Sequence, residues 1–507
     1  MMKEAVTIQP DGRNLLEILT GQFYELPSFC AGRGTCKKCK VRIKEEGKEE
    51  EVVLACQYIP LRTCQVEFLQ QEGEFWIETD IQKEENKKEK EFIKKDQEET
   101  EESKNFQIAV DIGTSTLALL LFNRQGKVLS SWTKLNPQRR YGADVISRIE
   151  KANNGQREEL TDCIREEIFV GLKSLCSKEE RKVFRVVIAG NTTMQHLFAG
   201  YSVEGLGEYP FTVVRKDLVK GKLKEFYPIL PKELFSAEYV FMPCISAFVG
   251  GDIMAGMLEA ERQQEKRRKK NLPESWLMLD IGTNGEMVLY HGGIYYTASA
   301  AAGPVFEGGN ISCGIGSVTG AIDHIWEENG ELIYSTIGGQ IPVGICGTGL
   351  IESMAVLRKT GILERDGLLK GYEKSGYLLA RGADGDEIRI TQEDIRQFQL
   401  AKAAIRSGIE ILCKAADITV QKLDQVYLAG GFGTKLDIKK SCEVGLLPWI
   451  PKSRYCVLGN TSLSGCCRYG TEEDAEEILK RMQRSSREIT LALEGEFQKQ
   501  YLEYMYF

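Results

Sequence analysis

The sequence predicts a multidomain chain of mixed α/β and α+β class, with a small cysteine-bearing head, a charged linker and a two-lobed body. Three observations carry that prediction. Three cysteines crowd a ten-residue loop near the start, a run of 23 residues holding 16 charges follows, and the rest repeats one strand-turn-strand pattern 169 residues apart. At 507 residues the chain is longer than one hydrophobic core usually organises, which fits several domains.

The head, residues 1–78, is read from its cysteines. Cys30, Cys36, Cys39 and Cys56 have the spacing C-x5-C-x2-C-x16-C. Gly32 and Gly34 let the loop wrap tightly enough for backbone N–H groups to turn toward sulfur, and four thiolates suffice for a 2Fe-2S cluster. A closed four-cysteine zinc site is the rival, although this loop spacing is unusual for zinc. Cys64 sits beside a strand expected over residues 65–69 and reads as a packed thiol, not a substitute ligand.

The linker, residues 79–105, is read from its charge. Residues 82–104 carry nine acidic and seven basic side chains and almost nothing to bury. Glu84 with Lys88 and Glu91 with Lys95 pair at i,i+4, so a partly helical spacer is expected.

The body is read as lobe I, residues 106–272, and lobe II, residues 273–507, with the last segment returning to lobe I. Val110 to Phe122 and Leu279 to Tyr290 are each an apolar strand, a polar glycine turn and a second apolar strand. Short strands at Val186 to Ala189 and Val426 to Ala429 alternate with helices. One helix opens on a Thr391-Gln-Glu-Asp394 capping box and sets Ile395, Phe398, Ala401, Ala404, Ile405, Ile409 and Leu412 on one face. The turns carry the chemistry: Gly113, Thr114, Ser115 and Thr116 in the first copy, and Gly282, Thr283, Asn284 and Gly285 in the second, offer N–H and hydroxyl donors to phosphate. Asp111 and Asp280 end the leading strands, where carboxylates hold hydrated Mg²⁺ or orient water. In Leu428-Ala-Gly430-Gly431-Phe432-Gly433 a buried strand runs into a flat glycine turn suited to an adenine ring. No G-x-x-x-x-G-K-[ST] motif is present, which disfavours a P-loop NTPase.

Composition excludes other classes. A net charge of −8 gives no general attraction to nucleic acid or anionic membranes, and no apolar run of about 18 residues spans a bilayer. The start lacks a secretory pattern, so a cytoplasmic protein with reduced thiols is expected. Cys163, Cys176, Cys244, Cys413 and Cys442 read as packing thiols, His196, His291 and His324 as structural, and the basic run Lys266 to Lys270 as a solvated loop.

These residues carry a resemblance. The head is similar to 2Fe-2S ferredoxin domains of the adrenodoxin type, which implies a β-grasp fold and a trimmed interval before the fourth cysteine. The body resembles the actin-like ATPases (ASKHA, ribonuclease H-like), which implies that Asp111 to Thr116 and Asp280 to Gly285 are the phosphate motifs and Gly430 to Gly433 the adenosine motif. Asn136-Pro-Gln138, Tyr141 to Arg148, Ala189 to Met194, Phe248 to Asp252, Ala300 to Gly308, Gly344 to Leu350 and Gly459 to Leu463 narrow it further. Together with the head they resemble the reductive activators of corrinoid proteins over nearly the whole chain. Larger members carry an extra domain between the two parts, and the short passage from linker to Ile108 implies its absence here.

The resemblance implies an ATP-hydrolysing iron–sulfur enzyme that returns a corrinoid protein of a methyltransferase system from cob(II) to cob(I). It also implies a low-potential reductant of unknown identity, with a homodimer left open. Each 100 mV of uphill one-electron transfer costs about 2.3 kcal/mol, which is why ATP is required. The alternatives are a small-molecule kinase regulated by its cluster, an iron–sulfur sensor, and an ATP-driven electron donor to a non-corrinoid client such as a radical dehydratase.

Overall fold

The structure is a computed structural model that describes residues 5–21, 26, 39–45, 48, 50–68, 105–142, 144–176, 182–268, 274–383, 385–433 and 435–507. The charged linker, Cys30 and Cys36 lie outside the described residues. Among the described residues no helix is long and apolar enough to cross a membrane.

In the head, β1 (Ala5–Ile8), β2 (Lys40–Glu45), β3 (Glu51–Leu54) and β4 (Cys64–Phe68) form an antiparallel sheet of order β1-β4-β2-β3. Alternation along β2 buries Val41 and Ile43 on one face. The helix Leu15–Gly21 lays Leu15, Ile18 and Leu19 against that face, at the spacing of one helical stripe. This is the sheet and helix of the expected β-grasp head.

The body repeats one sheet plan. In the first lobe, β5 (Asn105–Ile112), β6 (Thr116–Asn123) and β7 (Val128–Leu135) form an antiparallel meander. Next, β8 (Lys182–Gly190) runs parallel to β5, β9 (Val219–Lys222) forms an edge, and β10 (Glu238–Phe241) lies parallel to β8. In the second lobe, β11 (Trp276–Ile281), β12 (Gly285–His291) and β13 (Ile294–Ala300) repeat the meander. A small sheet of β14 (Ala321–Glu328), β15 (Glu331–Thr336) and β16 (Gly344–Ile345) and a hairpin of β17 (Tyr377–Arg381) and β18 (Glu387–Ile390) follow. Then β19 (Gln425–Ala429) and β20 (Tyr455–Gly459) extend the main sheet in parallel, and β21 (Ser486–Glu488) pairs with β13.

The leading strands read as continuous apolar runs because both faces of each sheet are covered. Ile108, Val110 and Ile112 of β5 enter one core, while Ala109 joins Ala118, Leu120 and Phe122 of β6 in another. That second core lies between the sheets and also takes in Met278, Val288 and Tyr427 of the second lobe. The helices Gly251–Arg268 and Thr461–Thr471 fill it, crossing so closely that a Cβ at Gly465 would collide with the carbonyl oxygen of Ala255.

The last stretch of chain alternates between lobes. Gln107 of β5 donates to the Gly470 carbonyl at 2.7 Å, β21 rejoins the second sheet, and the helix Phe497–Tyr504 packs on the helix Gln392–Ala415. The latter has the expected Thr391–Asp394 capping box and buries all seven expected apolar residues. One expectation is corrected in part: the basic run opens in a helix and not a loop, since Gly251–Arg268 takes in Lys266, Arg267 and Arg268, while Lys269 and Lys270 lie outside the described residues. Cations in a last helical turn face the negative end of the helix dipole, so the charges favour that ending. Arg267 is also anchored, donating to Gln425 Oε1 at 2.8 Å.

Candidate functional site

Asp111 is the penultimate residue of β5 and Asp280 the penultimate residue of β11, so the repeated plan places both carboxylates at equivalent strand ends. The turn after β5 leaves no room for a side chain at Gly113, where a Cβ would stand 2.7 Å from the Thr116 carbonyl oxygen. Three of the singled-out strings support this turn. Asn136 donates to the Gly113 carbonyl at 2.8 Å, Arg148 to the Thr114 carbonyl at 2.6 Å, and Asn191 to Thr114 Oγ1 at 3.0 Å. Arg148 is fully buried without a carboxylate partner in these bonds, and burial lowers its pKa to about 9. Its guanidinium therefore stands directly behind the first turn. In the second turn Gly282 donates to the Asn284 carbonyl at 2.9 Å, and Gly285 closes against Ile405.

The turns meet on Glu307, a residue inside the string Ala300 to Gly308 to which sequence reasoning assigned no role. Ser115 Oγ and Thr283 Oγ1 donate to the same oxygen, Oε2 of Glu307, at 3.1 and 3.0 Å. Asp252, at the start of the helix Gly251–Arg268, lies in the field of Asp111 and Asp280, and Glu286, on β12, in that of Asp252 and Asp280. Burial, then the charges of Asp111 and Asp280, raise Asp252 to about 8. Burial, then Asp111 and Glu307, raise Asp280 to about 7. Burial likewise raises Asp111, Glu286 and Glu307, opposed at Asp111 by hydrogen bonds from Asn460 and Ser462. Five carboxyl groups thus share one field, which suits a divalent cation with bound phosphates. Among the described residues no three His, Cys, Asp or Glu side chains converge tightly enough to hold a metal alone.

The Gly430–Gly433 turn lies beside this group. Gly430 takes φ +81°, and a Cβ there would stand 2.5 Å from Asp280 Oδ1, whereas a Cβ at Gly431 would meet nothing within 4 Å. Gly430–Gly433 forms a single helical turn directly after β19, and the Phe432 side chain lies outside what is described.

In the head, β2–β3 pairing sets Lys40 opposite Leu54, so Cys39 and Cys56 flank the same end of that hairpin. Both are buried, and the Ala55 amide donates to the Cys39 carbonyl at 2.8 Å. Two thiols at one end of a hairpin fit half the donor set of a 2Fe-2S cluster. Cys64 pairs with Glu45 at the opposite end of β2 and is buried, as expected of a packed thiol. The other cysteines expected to pack, Cys163, Cys176, Cys244, Cys413 and Cys442, are all buried. The histidines make local bonds: His196 to the Thr192 carbonyl, His291 to Ser275 and His324 to Glu352.

Comparison with known proteins gives this geometry a context. Three family models match in series: the 2Fe-2S iron–sulfur cluster binding domain over residues 2–61, the RACo middle region over 106–265, and the C-terminal ASKHA domain of RACo over 274–507. The middle-region match covers the stretch read as lobe I. The corrinoid activation enzyme RamQ of Eubacterium limosum is 32% identical over 422 residues, which cover 78% of this chain and 69% of that protein. The Co(II) methylated amine-specific corrinoid protein reductase of Methanosarcina barkeri is 30% identical over 312 residues, 56% of this chain and 55% of that one, so the chain spans about half of that relative. A solved structure described as a reductive activator for a corrinoid, iron–sulfur protein superposes with a TM-score of 0.70 at 26% identity, covering 98% of this chain and 96% of that chain. With an iron–sulfur head, an ASKHA body and a relative 32% identical over 69% of its length, the chain belongs to the reductive activators of corrinoid proteins.

Proposed function

We propose that this activator passes one electron from a 2Fe-2S cluster held by Cys30, Cys36, Cys39 and Cys56 to the cob(II)alamin centre of a corrinoid protein in a methyltransferase system, restoring cob(I). The head (1–78), linker (79–105) and lobes (106–272 and 273–507) act as separate parts of that machine, and a separate low-potential reductant reloads the cluster. The observation that carries the ATP part is the meeting of Ser115 and Thr283, one from each repeated turn, on a single carboxylate oxygen. Groups so placed grip phosphates from two sides.

In this reading Gly113, Thr114, Ser115 and Thr116 with Gly282, Thr283, Asn284 and Gly285 bind the phosphates, and Gly430, Gly431, Phe432 and Gly433 bind the adenosine. Asp111 and Asp280 would hold Mg²⁺ and orient the attacking water, and the cation would supply charge neutralisation at the phosphates. Catalysis of this kind is mostly positioning, so incomplete lobe closure keeps turnover slow until the client completes it. Lobe closure is the two-state element that favours the complex in which cobalt is easier to reduce. The deciding experiment mixes the reduced protein anaerobically with candidate corrinoid proteins and follows the cobalamin spectrum with and without MgATP. Cobalt reduction that requires ATP supports the reading. Phosphorylation of a sugar or carboxylate at ordinary kinase rates, with no ATP effect on any corrinoid protein, would overturn it.

A further inference from the structure

The string Ala300 to Gly308 ends in a fixed turn with one movable part. Val305 and Phe306 are buried, Gly303 and Gly308 take φ of +75° and +83°, and a Cβ at Gly308 would collide with the backbone of Ile315. The backbone around Glu307 is closely packed, whereas its side chain has staggered torsions to swing through. That side chain accepts the hydroxyls of Ser115 and Thr283 on one oxygen, at 3.1 and 3.0 Å, which is the arrangement two turns would offer a phosphate oxygen. A carboxylate at this point also adds negative charge where an anionic nucleotide must approach, next to Asp280, whose pKa it helps raise.

We propose that Glu307 is a built-in competitor of the nucleotide's phosphates: it clasps the two phosphate turns through Ser115 and Thr283, and nucleotide binding requires its carboxylate to swing off both hydroxyls. This rests on the reading that these turns bind phosphate. The clasp makes ATP affinity a difference between two sets of bonds to the same donors, and it gives the cleft a self-closed form that phosphate opens.

The test compares the full-length wild type with Glu307→Ala and Glu307→Gln, using equilibrium dialysis against MgATP, MgADP and adenosine, with thermal unfolding to confirm that each variant folds. Glu307→Ala should bind MgATP and MgADP about tenfold more tightly, Glu307→Gln should lie between, and adenosine, which carries no phosphate, should bind all three alike. Hydrogen exchange without nucleotide should be faster at residues 113–116 and 282–285 in Glu307→Ala. Unchanged or weaker MgATP binding in both variants would overturn the clasp and, in the weaker case, make Glu307 a ligand of the nucleotide complex. Failure of the wild type to bind MgATP more tightly than adenosine would instead overturn the phosphate reading beneath it.

Discussion

Asn460 donates its side-chain amide to Asp111 Oδ2 at 2.8 Å, although 349 residues separate the two. The oxygen of the same amide, Oδ1, accepts the Leu463 N–H at 2.9 Å and so caps the helix Thr461–Thr471. One side chain therefore starts a helix and aims a carboxylate, and Ser462 completes the grip at Asp111 Oδ1, 2.9 Å away.

Asn460→Ala should lose both functions. Loss of the cap costs about 1 kcal/mol of stability, and client-stimulated ATP turnover should fall about tenfold or more as Asp111 loses a charge-assisted bond. Asn460→Asp separates the effects: it keeps an acceptor for the cap but sets a second carboxylate against Asp111. It should retain more stability than the alanine variant while losing as much turnover, as thermal unfolding and phosphate release would show.

The acid cluster predicts a pH response. Asp280, raised to about 7, and Asp252, raised to about 8, hold protons in the folded protein at pH values where an unfolded Asp, near 3.8, has lost them. The folded state thus binds more protons across that window, and stability falls as pH rises through it. In metal-free buffer the unfolding midpoint of the wild type should drop from pH 5 to pH 8 more steeply than that of Asp252→Asn. Addition of Mg²⁺ with ADP at pH 8 should recover part of the difference.

The adjacent glycines Gly430 and Gly431 should behave differently. A methyl group at Gly430 would press on Asp280 Oδ1 and strain a backbone of positive φ, so Gly430→Ala should lower both stability and ATP hydrolysis. Gly431→Val projects into open space, and should leave the unfolding temperature nearly unchanged while weakening ATP binding at least tenfold. Equal thermal losses in the two variants would contradict this assignment.

The head should be separable by chemistry. Anaerobically purified protein should contain about two irons and two acid-labile sulfides per chain, as a 2Fe-2S cluster requires. Both should be lost on Cys36→Ser and retained on Cys64→Ser, because Cys64 lies at the far end of β2 from Cys39. Cys39→Ser should abolish electron transfer with ATP binding intact, and stoichiometric zinc without sulfide would point to the rival metal.

Asp280→Ala should do the converse. The cluster should still accept an electron from a chemical reductant, followed by its visible spectrum, while ATP-stimulated reduction of cobalt disappears.

What could be read from the chain follows from how local each signal is. The paired turns at Gly113 and Gly282 were legible because an apolar strand, a glycine and hydroxyl residues stand together in each copy, and the helix after Thr391 because its cap and stripe lie within one segment. Asp252, Glu286 and Glu307 stood inside strings that were noticed, but their convergence was not legible, since each belongs to a different element and only the packing of two sheets unites them. The strings around Arg148 and Asn460 stood out as patterns, yet nothing near them in sequence says that one lies behind Thr114 and the other grips Asp111. The basic run at Lys266 was misread because charge density was weighed without the helix leading into it.

The return of Thr461–Thr471 to the first sheet also sets a timetable for synthesis. Ala109, Ala118, Leu120 and Phe122 form a hydrophobic face that Leu463, Cys466 and Cys467 help cover. On a ribosome adding about 5–20 residues per second, a gap of about 350 residues leaves that face without its covering helix for roughly 20–70 s. The nascent first lobe must therefore pass through a sticky, incomplete stage that chaperones are suited to shield, and a gene fragment ending at Gly459 would strand it there permanently.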